Sequence, residues 1–89
     1  MHRVVIKCSD VPAQEGAEAA TDIERTFREH RPHHQNVRCS FEGGELVLQA
    51  ENDFDPNGLA LMDEFSDCIS AYIVTPFDGD LRLVSSIPI

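Results

Sequence analysis

The chain has 89 residues, 42% of them hydrophobic, and its 16 acidic and 7 basic residues give a formal net charge of −9. This length and composition predict one folded domain, residues 1–89, rather than a disordered chain. The negative charge repels nucleic-acid phosphates, and no hydrophobic run reaches the roughly 18 residues of a membrane-spanning helix. We therefore expect neither a nucleic acid nor a membrane as partner.

The cysteines indicate a reducing compartment. Cys8, Cys39 and Cys68 are odd in number, widely spaced and free of any CxxC motif. This spacing argues against a disulfide framework and against a zinc knuckle. The hydrophobic run near the start of the chain is also too short for a secretory signal. We expect a cytoplasmic location.

The first third of the chain predicts a strand followed by a helix. Residues 4–6 are aliphatic and are flanked by basic residues, which is typical of a short strand that ends near Cys8. Residues 9–12 then offer side-chain oxygens and a proline, which suit a helix start. The helix is expected to end before Pro32. Its hydrophobic residues recur at helical spacing: Ala13, Ala17, Ala20, Ile23 and Phe27.

The rest of the chain predicts a hairpin, a second helix and a last strand. Residues 37–41 and 46–50 alternate between hydrophobic and polar, and Gly43 and Gly44 between them favour a tight turn. Asp55 and Pro56 are expected to open the second helix, and residues 81–87 form the final strand. The hydrophobic stripe of that helix is Leu59, Met62, Phe65, Ile69, Tyr72 and Ile73.

The predicted order is therefore βαββαβ within one short chain. This order is typical of the ferredoxin-like α+β sandwich, in which two helices cover one face of a four-stranded antiparallel sheet. The architecture hosts many unrelated functions and does not by itself indicate one.

The alternation within the strands predicts which residues leave the core. Val4, Ile6, Val37, Cys39, Leu46, Leu48, Leu81 and Leu83 are expected to face the helices, which places Gln49 and Ser86 on the opposite, open face. Val5, Val47 and Val84 are expected to lie side by side there. With the basic residues they form a candidate interaction face: Arg3, Val5, Lys7, Arg38, Val47, Arg82 and Val84. An ordinary solvated sheet face is the alternative.

Residues 53–64 follow the pattern D-x-[DN]-x-[DN]-G-x5-E and so resemble the calcium loop of an EF-hand. The resemblance implies a Ca²⁺ site with these ligands: Asp53, Asp55, Asn57 and Glu64 through side-chain oxygens, and Leu59 through its carbonyl. An EF-hand has a helix before its loop, whereas this sequence predicts a strand. We therefore expect Asp55 to cap a helix that begins at Pro56, with a strand–loop–helix calcium site as the alternative.

Two weaker patterns involve histidine and cysteine. His30, His33 and His34 lie close together after the first helix and could bind zinc, copper or nickel. A solvated helix end is the simpler interpretation. A reactive thiol at Cys39, with His33 or Arg38 beside it, would make the protein a small enzyme, but buried, unreactive thiols are the expectation.

The leading hypothesis is a small cytoplasmic interaction module rather than an enzyme. It would self-associate, as a homodimer for example, or dock a protein partner through the open sheet face, with Arg3, Lys7, Arg38 and Arg82 steering an acidic patch. The alternatives, in order, are the calcium-binding module and the Cys/His enzyme. No cofactor other than Ca²⁺ is expected.

Overall fold

The strands and helices follow one another in the predicted order. The computed structural model describes residues 1–89 and contains β1 (His2–Cys8), α1 (Ala13–His30), β2 (Gln35–Glu42), β3 (Glu45–Asn52), α2 (Leu59–Tyr72) and β4 (Leu81–Pro88). Neither helix combines the length and the hydrophobicity that crossing a membrane would require.

The four strands form one antiparallel sheet in the order β2-β3-β1-β4, which confirms the ferredoxin-like architecture. In β1 and β3, Val4 lies opposite Ala50 and Ile6 lies opposite Leu48, and all four side chains are buried. They pack against α1 and α2 through Ile23, Phe27, Leu61 and Phe65, none of which has exposed surface. The sheet therefore buries one face and leaves the other open.

Helix α1 begins after Pro12 and ends at His30, as the spacing of its hydrophobic residues predicts. Its first turn has no side-chain cap, contrary to the expectation for residues 9–12. The Ser9 hydroxyl instead accepts a hydrogen bond from the Asp80 N–H, at 3.0 Å. Ser9 therefore joins the end of β1 to the start of β4 rather than capping the helix.

The β2–β3 hairpin is confirmed. Gly43 and Gly44 have φ angles of 57° and 81°, and Glu42 lies opposite Glu45 in the ladder. Both φ angles are positive, as in a two-residue type I′ turn, and glycine adopts them without steric cost. The glycine pair therefore fixes the register of the hairpin.

Helix α2 begins at Leu59, three residues after the predicted Pro56. Residues 55–58 form a turn, because the Gly58 N–H donates to the Asp55 carbonyl at 3.1 Å. Gly58 has φ 71° and precedes the helix, so the chain enters α2 from a left-handed conformation. The prolonged turn is the physical reason for the later start.

Strand β4 contains an irregularity that the alternation of its residues does not reveal. Val5 lies opposite Ser85 and Ile6 lies opposite Leu83, so Val84 has no direct partner on β1. Such a β-bulge reverses which face the following residues occupy. Ser86 therefore lies opposite the buried Val4 and not on the open face as expected. Its hydroxyl donates to the Pro56 carbonyl at 2.6 Å.

Candidate functional site

Three of the four basic residues predicted for the open sheet face form ion pairs. Arg3 lies 3.1 Å from Glu51, while Lys7 and Arg82 lie 3.9 and 2.8 Å from opposite oxygens of Glu45. The hydrogen bond from Arg82 lowers the pKa of Glu45, and the bonds from Asn36 and Arg3 lower that of Glu51. Both carboxylates are thus held ionised beside their cations.

The three valines do not form the straight row that was predicted. Val5 lies opposite Gln49 and Ser85, and Val47 lies opposite Lys7 on β1. Val5 and Val47 are therefore diagonal neighbours, two positions apart in register. The bulge displaces Val84 from the ladder, and its residue surface is 47% exposed.

Exposed hydrophobic side chains concentrate instead on the edge strand β4. Of the eight large hydrophobic residues that are exposed, four lie in this strand or directly after it: Leu83, Val84, Ile87 and Ile89. Met1 is a fifth, and its carbonyl accepts the Ile89 N–H. Ile87 lies opposite Arg3 and so faces the open side of the sheet. Leu83 lies opposite the buried Ile6 and so points to the helix side of the sheet. We call the side chains of Val84, Ile87, Ile89 and Met1 the β4 patch.

In the calcium-like loop, two predicted ligands already have protein partners. The carboxylate oxygens of Asp55 accept the Ala60 and Leu61 N–H groups at 3.2 and 3.0 Å, which makes Asp55 the cap of α2. Glu64 is bonded to two histidines. The other predicted ligands, Asp53, Asn57 and Leu59, are exposed. Calcium binding stays a prediction, and it would require the cap and the histidine contacts to break.

The fold brings two of the three histidines together with an acidic residue of α2. The Glu64 carboxylate accepts a hydrogen bond from His33 Nε2 at 3.0 Å and another from His34 Nε2 at 2.7 Å. The three ligand atoms lie within 4.8 Å of one another. The His34 side chain has no exposed surface, whereas the His33 side chain is 43% exposed. His30 does not join this histidine–glutamate cluster, and its ion-pair partner is Glu29, at 3.9 Å.

Asn52 fixes the tautomer of His34. The Asn52 side-chain oxygen accepts the N–H groups of Phe54 and Asp55, at 3.3 and 2.9 Å, so its NH₂ group must point at His34 Nδ1, 3.2 Å away. Nδ1 is then an acceptor, which places the His34 proton on Nε2, facing Glu64. Burial agrees with this neutral form, because it lowers the pKa of His34 although the Glu64 carboxylate acts in the opposite direction.

This tautomer bears on metal chemistry. A metal ion at the histidine–glutamate cluster needs the Nε2 lone pair, so the His34 proton would have to move to Nδ1 and face the Asn52 NH₂ group. As arranged, the cluster ties the α1–β2 loop to α2. The rings of His33 and His34 also lie beside the Phe54 ring, tilted against it, with centroids 5.7 Å from it in each case.

The surroundings of all three thiols disfavour the reactive thiolate. Burial raises the pKa of Cys39 to about 12, and Glu24 adds to the shift. Burial likewise raises the pKa values of Cys8 and Cys68. The thiolate is the reactive form, so all three thiols are held in their unreactive state.

Sequence reasoning missed both Asn52 and the link from Glu64 to the histidines. Glu64 lies 31 residues after His33, and no local spacing connects them. No family model, curated protein or solved structure matches this chain.

Proposed function

We propose that the protein is an interaction module that self-associates, with a second copy packing on the open sheet face and the β4 patch. The observation that supports this most directly is the concentration of exposed hydrophobic side chains on one edge strand. Contiguous exposed hydrophobic surface on a small domain commonly marks a contact.

The charge distribution favours the same surface. The open face carries four basic side chains and three acidic ones, so its net charge is +1, while the whole chain has −9. These residues are Arg3, Lys7, Arg38 and Arg82, and Glu42, Glu45 and Glu51. Two copies repel each other through every strongly acidic surface. The open face is where they can approach without that repulsion.

Self-association requires a surface that can pack against a copy of itself. In a twofold dimer the same patch serves both partners, and a hydrophobic strand edge beside a nearly neutral face is complementary to itself. The contact would rest on side-chain burial rather than on backbone pairing. The bulge at Val84 and the missing N–H of Pro88 both interrupt strand addition along β4.

The available area requires the sheet face and the β4 patch together. Four strands spaced about 4.8 Å apart, with eight residues rising about 3.3 Å each, project roughly 500 Å². A stable interface buries about 800 Å² per partner. The hydrophobic side chains along β4 supply the additional surface.

Sedimentation equilibrium over a concentration series tests the proposal. We expect a reversible dimer whose dissociation constant falls as salt rises, because salt screens the repulsion between acidic chains. The substitution Val84→Lys places a charge in the β4 patch and should raise the dissociation constant at least roughly tenfold. Val84 has no ladder partner, so the fold should tolerate the change.

The matched control is Val74→Lys, since Val74 is 87% exposed and lies after α2, outside the β4 patch. It alters the net charge equally and should leave the dimer intact. A wild-type chain that stays monomeric to about 1 mM, where association energies fall to about 4 kcal/mol, would refute self-association. Equal effects of the two lysine substitutions would refute the assigned surface.

A further inference from the structure

A polar cleft lies beside β2, away from the β4 patch. It has a volume of about 630 Å³ and is bounded by α1, the α1–β2 loop, β2, β3 and the start of β1. Its charged lining consists of three guanidinium groups and two carboxylates, from Arg3, Arg28, Arg38, Glu24 and Glu51. This lining leaves one positive charge uncompensated within an acidic protein.

The two carboxylates of the cleft are fully engaged by the protein. Glu24 accepts hydrogen bonds from Arg28 and from the Cys39 N–H, each at 2.8 Å. Glu51 accepts bonds from Asn36 at 2.7 Å and from Arg3 at 3.1 Å. These pairs cancel in charge, so the uncompensated charge belongs to Arg38.

Arg38 lies beside Gln49, and neither side chain is paired with another group of the protein. Its guanidinium forms no ion pair, unlike Arg3, Lys7, Arg25, Arg28 and Arg82. Gln49 lies opposite Arg38 in the β2–β3 ladder, and its amide also makes no side-chain hydrogen bond. Directly opposed residues have Cβ atoms about 5 Å apart. A charged fork and a free amide therefore stand together at the wall of the cleft.

The backbone next to Arg38 is irregular. The register of β2 against β3 shifts between Gln35 and Arg38, and Asn36 within this stretch has φ 49°. A bulge re-aims the side chains beside it and is common next to binding sites. A non-glycine residue at positive φ is uncommon and is found where surrounding contacts hold it. Here the Asn36 bond to Glu51 provides that contact.

We propose that this cleft binds the carboxylate of a small polar acid, with Arg38 holding the carboxylate and Gln49 holding an adjoining hydroxyl group. A guanidinium fork matches a carboxylate through two parallel hydrogen bonds. A single uncompensated positive charge suits a monoanion. The polar lining suits a hydroxylated molecule rather than an aromatic or aliphatic one. Arg38 and Gln49 lie on the open sheet face, so a bound carboxylate would compete with the proposed dimer contact for this surface. The carboxylate site does not require the dimer to exist.

The test is an NMR titration that follows backbone amides, the arginine Nε–H groups and the glutamine side-chain amides. Glycolate is the probe, acetate is its analogue without the hydroxyl, and sodium chloride at equal ionic strength is the reference. Glycolate should cause saturable shifts at Arg38 and Gln49. Acetate should shift Arg38 with weaker affinity.

Two variants and a control separate the roles. Arg38→Gln should weaken glycolate binding at least roughly tenfold, because it removes a charge-assisted hydrogen bond. Gln49→Ala should abolish the preference for glycolate over acetate while acetate still binds. Arg25→Gln is the control, because Arg25 pairs with Asp22 on α1 and does not line the cleft.

Three results would overturn the proposal. The first is a shift that sodium chloride reproduces, and the second is glycolate binding that survives Arg38→Gln. The third is tighter binding of inorganic phosphate than of glycolate, which would assign the cleft to another anion. The oligomeric state of each variant, measured in parallel, separates these outcomes from failure of the dimer proposal.

Discussion

The cap formed by Asp55 gives the sharpest test of how residues 53–64 work. Its two carboxylate oxygens accept separate N–H groups at the start of α2, and the residue is only 8% exposed. Water therefore replaces the carboxylate poorly when Asp55→Ala removes it. Loss of a helix cap costs about 0.5–2 kcal/mol, and two accepted bonds place this cost near the upper end, about 2 kcal/mol.

Thermal unfolding followed by circular dichroism should detect this change easily. In a chain of this size 1 kcal/mol shifts Tm by about 4–8 °C, so Asp55→Ala should lower it by about 8–16 °C. Asp53→Ala is the control, because Asp53 is exposed and makes no side-chain hydrogen bond. It should leave Tm within about 4 °C of wild type.

Adding calcium distinguishes a helix cap at Asp55 from a calcium site in residues 53–64. If Asp55 is only a cap, calcium leaves all three proteins unchanged. A calcium site would instead stabilise the wild type by about 2.7 kcal/mol at a hundredfold excess over Kd, and Asp53→Ala would lose that gain. That result would refute our reasoning, as would a loss below about 0.5 kcal/mol in Asp55→Ala without calcium.

Three further predictions follow from buried groups. The substitution Gly16→Ala should destabilise the fold by about 1 kcal/mol in urea titrations. Overpacking against the Phe41 ring costs about 1–3 kcal/mol, which outweighs a helix-propensity gain of about 1 kcal/mol. A variant more stable than the wild type would contradict this packing. Folding lowers the pKa of His34, so the unfolded chain binds its proton more tightly, and the free energy of unfolding should fall as pH drops below the ordinary value of about 6.5. His34→Gln should reduce this pH dependence in urea titrations from pH 8 to pH 5, while His30→Gln should not. If His34→Gln left the slope of the unfolding free energy against pH unchanged, His34 would not be its source. Cys39, with a pKa of about 12, should react with a thiol reagent at pH 8 only on unfolding, and rapid labelling of the native protein would contradict its burial.

Features that depend on neighbouring residues were predictable from the sequence. Gly43 and Gly44 determine a turn by themselves, and the alternation on either side determines the register of the hairpin. Pro32 likewise ends α1 through local sterics. The stripe predicted for α1 is only partly right, because Ala20, Ile23 and Phe27 are buried but Ala13 and Ala17 are exposed.

Features that depend on distant residues were not predictable. The bulge at Val84 arises from how β4 fits against β1, and the hydrophobic alternation through Leu83 continues as if no bulge were present. Helix α2 starts late because a turn at Gly58 precedes it. Taken alone, Asp55 and Pro56 are equally typical of a simple helix start. Both are tertiary effects that override a local pattern.

The candidate sites also combine features that neighbouring residues predict with features that depend on distant residues. The basic residues of the open face follow from strand parity alone, whereas their partners Glu45 and Glu51 appear only once the strands are paired. The tautomer of His34 requires Asn52 and Glu64, contributed by β3 and α2. Chemistry assembled from several elements has no local signature.

The hydrogen bond from the Cys39 N–H to Glu24 has a consequence for aggregation. Cys39 lies on β2, an outer strand of the sheet, and an unpaired N–H there would be available to a strand from another chain. The Glu24 carboxylate of α1 accepts that N–H and so occupies it. Growth of an extended intermolecular sheet is therefore obstructed at β2, which restricts unwanted polymerisation even if the opposite border is open to contact.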